Sequence, residues 1–117
     1  MSIKLHKQGY DYAVAIIQKG LEVEHDMGNW TAVKPTVDEE ARYLDTHTLS
    51  EYGKWFLGFD TDANAEGKKK FAYPFGDFAV VHKSGLMVAE GTARKNGHAE
   101  IAGAAKKLID MLGHSKK

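Results

Sequence analysis

Along the first twenty positions apolar residues recur with a helical period. In "KQGYDYAVAIIQKGL", Tyr10, Ala13, Val14, Ile17 and Leu21 fall at i, i+3, i+4, i+7 and i+11. That single stripe predicts a helix over about 8–19. Gly20 offers a left-handed stop, with Leu21 placed to touch Ile16. The pattern breaks at Gly28, Asn29 and Pro35, which predicts a loop, and Trp30 within it is expected to pack inward as a lid on the core.

Two capping boxes follow. Thr36 precedes Glu39 and Thr48 precedes Glu51, the spacing at which a hydroxyl and a carboxylate satisfy each other's backbone amides at a helix start. Val37, Ala41 and Leu44 form a short stripe after the first box. After the second, Leu49, Tyr52, Trp55, Phe56 and Phe59 recur at helical spacing with Gly58 as a stop, although Gly53 inside that segment costs about 1 kcal/mol against alanine. In the C-terminal part, Gly85, Ala89 and Ala93 make a row of small residues, and Ile101, Ala105, Leu108 and Leu112 make an apolar stripe. Two closely approaching helices joined at Asn96–Gly97–His98 are expected, an αα-hairpin. Between 60 and 78 the pattern is irregular. Pro74 forces Tyr73 out of the helical region, and a short strand at 69–73 fits there.

The expected fold is therefore mainly α: about five helices in one compact domain over 1–113, a C-terminal αα-hairpin, and a solvated tail at 114–117. Where the helix after Asp77 begins is open between Asp77 and Ser84. At 117 residues, 43% hydrophobic and 27% charged, the chain has a globular composition and length for one ordinary core. No apolar run approaches the roughly 20 residues that span a bilayer. The N-terminus lacks a signal-peptide pattern, and the absence of cysteine suits a reducing compartment. The expectation is a cytoplasmic protein of bacterial type with no membrane association. Net charge is zero, but residues 1–60 carry six Lys/Arg against ten Asp/Glu, and residues 61–117 carry ten against six. That split suits an acidic and a basic face, yet falls short of the footprint of a dedicated nucleic-acid binder.

Candidate chemistry is sparse. Asp60, Asp62 and Asn64 stand at the first three ligand positions of a calcium loop, but the sharp-turn glycine and the closing glutamate are missing, with Ala65 and Phe71 in their places. A polar turn accounts for these residues, and no metal or cofactor is expected. Asp77, His82 and His98 are the candidates for an acid–base site, since a carboxylate can orient an imidazole and keep it proton-active near neutral pH. Asp77 and His82 are five apart, off the favourable helical register, which favours Asp77 as a helix cap. No nucleophile elbow, zinc-protease, phosphate-loop or dinucleotide motif occurs, and no two of the six histidines are spaced i, i+4.

The densest stretch is "KKKFAYPFGDFAVVHKSG". Lys68, Lys69 and Lys70 beside Phe71, Tyr73, Phe75 and Phe78 combine charges that can track phosphates with rings that can stack on bases. The competing account makes Phe71, Tyr73 and Phe75 one side of an extended segment anchored to the core, with the lysines in water.

"EYGKWFLGFDTDAN" and "KKKFAYPFGDFAVVHKSGLMVAEGTARKNGHAEIAGAAKKL" resemble a family of small uncharacterised bacterial proteins, with a similar pattern in bacteriophage-associated proteins. The shared features are Trp55-x-Leu57-Gly58-x-Asp60, Tyr73-Pro74-x-Gly76-Asp77-Phe78, Val81-His82-x-x-Gly85 and His98-x-x-Ile101, together with Lys69 and Arg94. The likeness spans about residues 49–110 and implies no established activity. Lys83 departs from the arginine expected of the family, and the turn after Arg94 departs from its alanine and glutamine. Both changes weaken a phosphate site there, because lysine lacks the planar bidentate fork.

The functional expectation is a non-catalytic binding module for an anionic partner, nucleic acid or an acidic protein, using Lys68, Lys69, Lys70, Tyr73, Lys83 and Arg94. A small enzyme built on Asp77, His82 and His98 and a structural subunit of a larger assembly are the alternatives. The first requires the six binding residues to share an exposed face. The second requires Asp77, His82 and His98 to converge.

Overall fold

The computed structural model describes residues 3–20, 23–26, 28–61 and 70–115. Its first strand, β1 (Ile3–Leu5), leads into helix α1 (Lys7–Lys19), which buries Ala13, Ile16 and Ile17 and ends at Gly20 in the left-handed region (φ 70°). Leu21 lies outside the described residues. The stretch expected as a loop holds a short strand, β2 (Val23–Glu24), and one helical turn, α2 (Trp30–Val33), whose Trp30 is 5% exposed. Both capping boxes form. Thr36 opens α3 (Val37–Thr46) and Thr48 opens α4 (Leu49–Gly53), and each hydroxyl accepts from the glutamate amide at 3.1 Å while the glutamate accepts from the threonine amide at 2.8 Å.

Beyond Gly53 the expected helix does not continue. Phe56–Asp60 form β3, the central strand of an antiparallel sheet in the order β1-β3-β4, with β4 at Phe71–Pro74. A short aromatic-rich apolar run satisfies both helical and strand templates. Here two remote segments hydrogen-bond to it, and the buried pattern of Phe56, Leu57 and Gly58 is that of a strand covered on both faces. A second, two-stranded ribbon pairs β2 in parallel with β5 (Val81–His82). Helix α5 (Lys83–Lys95) starts directly after His82, which places the open boundary at Lys83. With α6 (Ala99–Ser115) it forms the expected hairpin, and Leu86, Ala89 and Ala93 share the core with Ile101, Ala105, Leu108 and Leu112. Helix α6 runs two residues into the stretch expected as a tail.

Among the described residues the chain thus has six helices and five short strands, a helix-rich α+β architecture rather than a five-helix one. Its radius of gyration, 13.3 Å, is about that of a single globular unit of this length. Among the described residues no helix is long and apolar enough to cross a membrane.

One residue in the sheet leaves the extended region. The ladder pairs Phe56 with Pro74 and Gly58 with Ala72, while Tyr73 between them takes φ 63°, a left-handed conformation that costs a bulky residue on the order of 1–3 kcal/mol. Its ring lies over Gly58, where a Cβ would stand 2.9 Å from Tyr73 and 3.1 Å from both Ile3 and Ile101. Phe71, Tyr73 and Phe75 therefore do not share one side of an extended segment. Phe75 is fully buried, and Phe71 and Tyr73 are half-buried.

Candidate functional site

Three places gather the side chains capable of chemistry or binding. The first is buried. His82 Nδ1 stands 2.8 Å from Asp26 Oδ2, and His82 Nε2 stands 3.0 Å from Asp77 Oδ2. Asp26 also accepts from the Ser84 amide at 3.0 Å and from the Ser84 hydroxyl at 2.8 Å. Asp77 holds its own loop through the amides of Ala79 and Val80, at 3.0 and 2.8 Å, and Phe78, the residue after Asp77, takes φ 71°. Asp77 is thus a turn-former before β5, not the cap of a helix. Burial penalises the charged form of all three ionisable groups. The hydrogen bonds and mutual attraction outweigh it, so His82 is raised above its usual value while Asp26 and Asp77 are lowered.

With each ring nitrogen given to a different carboxylate, His82 has no nitrogen left to take a substrate proton. Ser84, at 1% exposure, is closed to any substrate. The cluster clamps β2, the turn at Asp77 and the start of α5 together. Trp30 packs against its imidazole with ring centroids 5.7 Å apart.

His98 is elsewhere. Its Nδ1 lies 2.6 Å from the Tyr73 hydroxyl, which also accepts from Asn96 Nδ2 at 3.2 Å. Asp77 and His82 therefore meet each other but not His98, and the three do not form one acid–base site. Tyr73, Asn96 and His98 line a cleft of about 470 Å³ together with Trp30, Lys34 and Val88, the second place of interest.

The third is a groove of about 580 Å³ lined by His6, Lys7, Leu49, Phe59, Lys70 and Phe71. Register explains why its two phenylalanines lie side by side. Lys4 pairs with Phe59, and Phe59 pairs with Phe71, so a lysine and two phenylalanines form one row across three strands, on one face. His6 leans over both phenylalanine rings, with centroids 5.6 and 5.3 Å away. Lys7 makes an exposed ion pair with Asp11 at 3.3 Å, and such a pair is worth little.

Of the residues expected to bind, Lys70 lines this groove and Tyr73 lines the cleft. Arg94 is ion-paired with Glu90 and lines a separate hollow beside Gly97 and Lys106, and Lys83 opens α5. The described candidates do not gather in one hollow. Lys68 and Lys69 lie outside the described residues, as do Asp62 and Asn64. Asp60 is 5% exposed and sits in β3 opposite Ile3. Among the described residues no group of three or more His, Asp or Glu could hold a metal ion.

Sequence reasoning missed His6, Lys7 and Phe59 in the groove, Lys4 beside Phe59 in the sheet, Asp26 and Ser84 in the clamp, and Asn96 in the cleft. The alternation of Ile3 and Leu5 with Lys4 and His6 was the available sign of a strand presenting polar residues on one side.

No family model, no curated protein and no solved structure matches the chain.

Proposed function

We propose that the chain is a non-catalytic binding module for an anionic partner, and that the partner is single-stranded nucleic acid laid along the groove over Phe59 and Phe71. One observation carries this reading: the row Lys4–Phe59–Phe71 across β1, β3 and β4, with Lys7, His6 and Lys70 around it. Phe59 and Phe71 are only half-buried, and bases can stack on exposed ring surface while flanking ammonium groups follow the phosphates. Catalysis is disfavoured by the saturation of His82 and the burial of Ser84.

The test is fluorescence anisotropy of a labelled oligothymidylate against salt. Three lysines on phosphates give a log–log salt slope of about −2 for a single strand. Lys4→Ala and Lys70→Ala each reduce that slope by about 0.7, and Phe59→Ala weakens binding without changing it. Salt-independent binding, or binding unchanged in all three variants, overturns the proposal. Binding of an acidic peptide with equal affinity would also overturn the nucleic-acid reading, because a peptide offers no bases to stack.

A further inference from the structure

The cleft between β4, α2 and α5 shares no lining residue with the groove, and its chemistry is different. Val88, Thr92 and Asn96 stand at i, i+4 and i+8 along α5 and form one wall, about 12 Å long at the helical rise. Trp30 packs near the start of that helix, where a Cβ on Gly85 would stand 3.1 Å from its ring. Lys34, immediately after α2 and bonded through its amide to the Trp30 carbonyl one turn earlier, also lines the cleft. At the other end the Tyr73 hydroxyl, Asn96 and His98 form a connected hydrogen-bonded group. The walls between are apolar, from Ile3, Ala72, Pro74, Val88 and Ala89.

The two ends differ in what they can recognise. Asn96 Nδ2 donates to the Tyr73 oxygen at 3.2 Å, and that hydroxyl stands 2.6 Å from His98 Nδ1, so hydrogen-bonding groups of both kinds gather at this end. That end offers hydrogen bonds to a neutral polar group. The Lys34 end offers a positive charge, and the cleft lining contains no Asp or Glu. Val88 is 49% exposed at this wall, an apolar side chain that a ligand would cover. A volume of about 470 Å³ lies in the range of sites that hold small organic ligands. Tyr73 reaches its position only through its left-handed backbone, a conformation that tends to occur where a side chain is held for a purpose.

We infer that this cleft is a binding site for a small planar aromatic carboxylate that carries a hydroxyl or similar polar group at the end opposite its carboxylate. The carboxylate meets Lys34, the ring system lies between Trp30, Pro74 and Val88, and the distal hydroxyl joins the Tyr73–His98 pair.

Three probes separate the parts: a hydroxynaphthoate with its two groups at opposite ends of the ring system, naphthoate without the hydroxyl, and naphthol without the carboxylate. Binding is followed by NMR through the Trp30 indole N–H and the Thr92 and Asn96 amides. The hydroxynaphthoate is expected to bind about tenfold more tightly than either partial probe. Lys34→Gln removes its advantage over naphthol, and Tyr73→Phe removes its advantage over naphthoate. Val88→Trp, a change at a half-exposed helical position that leaves the core untouched, fills the cleft and abolishes binding of all three. No saturable shift in the intact protein at millimolar probe overturns the inference. So does equal affinity for the three probes, or binding that survives Val88→Trp.

Discussion

The imidazole of His82 meets the carboxylate of Asp26 at 2.8 Å across a sequence separation of 56 residues. A buried ion pair of this kind stabilises only when its remaining lone pairs and protons are satisfied. Here Asp77 takes the second ring nitrogen and Ser84 takes both Asp26 oxygens. The clamp fixes Trp30, and through it one end of the aromatic cleft.

Stability should therefore depend on pH in a defined way. Burial opposes charge on all three groups and is outweighed by their hydrogen bonds, so His82 is raised and Asp26 and Asp77 are lowered. The His82 contribution is complete below its unfolded value of 6.5 and is lost as pH rises through the higher folded value. The carboxylate contribution is complete above 3.8 and is lost as pH falls through the lower folded values. Melting temperature should plateau between about pH 4 and 6.5 and fall on both sides. In His82→Gln the loss that begins above pH 6.5 should vanish.

The two carboxylates should not be equivalent. Asp26 is 10% exposed at its side chain and Asp77 is 31% exposed. Asp26→Ala strands a buried imidazolium and two Ser84 donors, at a cost of about 3–5 kcal/mol. Asp77→Ala strips the same imidazolium of its other partner, but on the side where Asp77 is itself 31% exposed, so water can take the vacated place and the cost should be less, about 1–2 kcal/mol. Urea denaturation of the two variants at pH 6 orders them, and equal losses would contradict the clamp.

Gly58 should not tolerate a side chain. Its missing Cβ is the space in which the Tyr73 ring lies, between Ile3 and Ile101. Gly58→Ala should cost about 1–3 kcal/mol by overpacking and should displace the Tyr73 hydroxyl from His98. The His98 ring resonances report that displacement directly. An unchanged His98 environment would mean the ring has another place to go.

What could be read from the chain follows the distance over which each contact acts. Helix α1, the two capping boxes and the α5–α6 hairpin depend on residues within a few positions of one another, and the apolar period displays them. Strand β3 was invisible because its partners are Ile3–Leu5 and Phe71–Pro74, each remote in sequence, while Trp55, Phe56 and Phe59 also fit a helical spacing. Asp77 and His82 stood out as chemistry, but a helical rule argued against their contact. They meet because Asp77 lies in a turn and His82 in a strand, so helical register does not apply. Asp26 carries no local mark at all. Phe71 and Tyr73 were legible from composition, whereas their separation into a groove and a cleft follows from the left-handed backbone of Tyr73.

The central claim is tested most directly by a backbone-amide NMR titration with oligothymidylate at low salt. Salt-reversible shifts confined to Lys4, His6, Lys7, Phe59, Lys70 and Phe71, with the Tyr73–His98 cleft unmoved, are the predicted result. Shifts spread over Lys83 and Arg94 instead, or none along the groove, would contradict it.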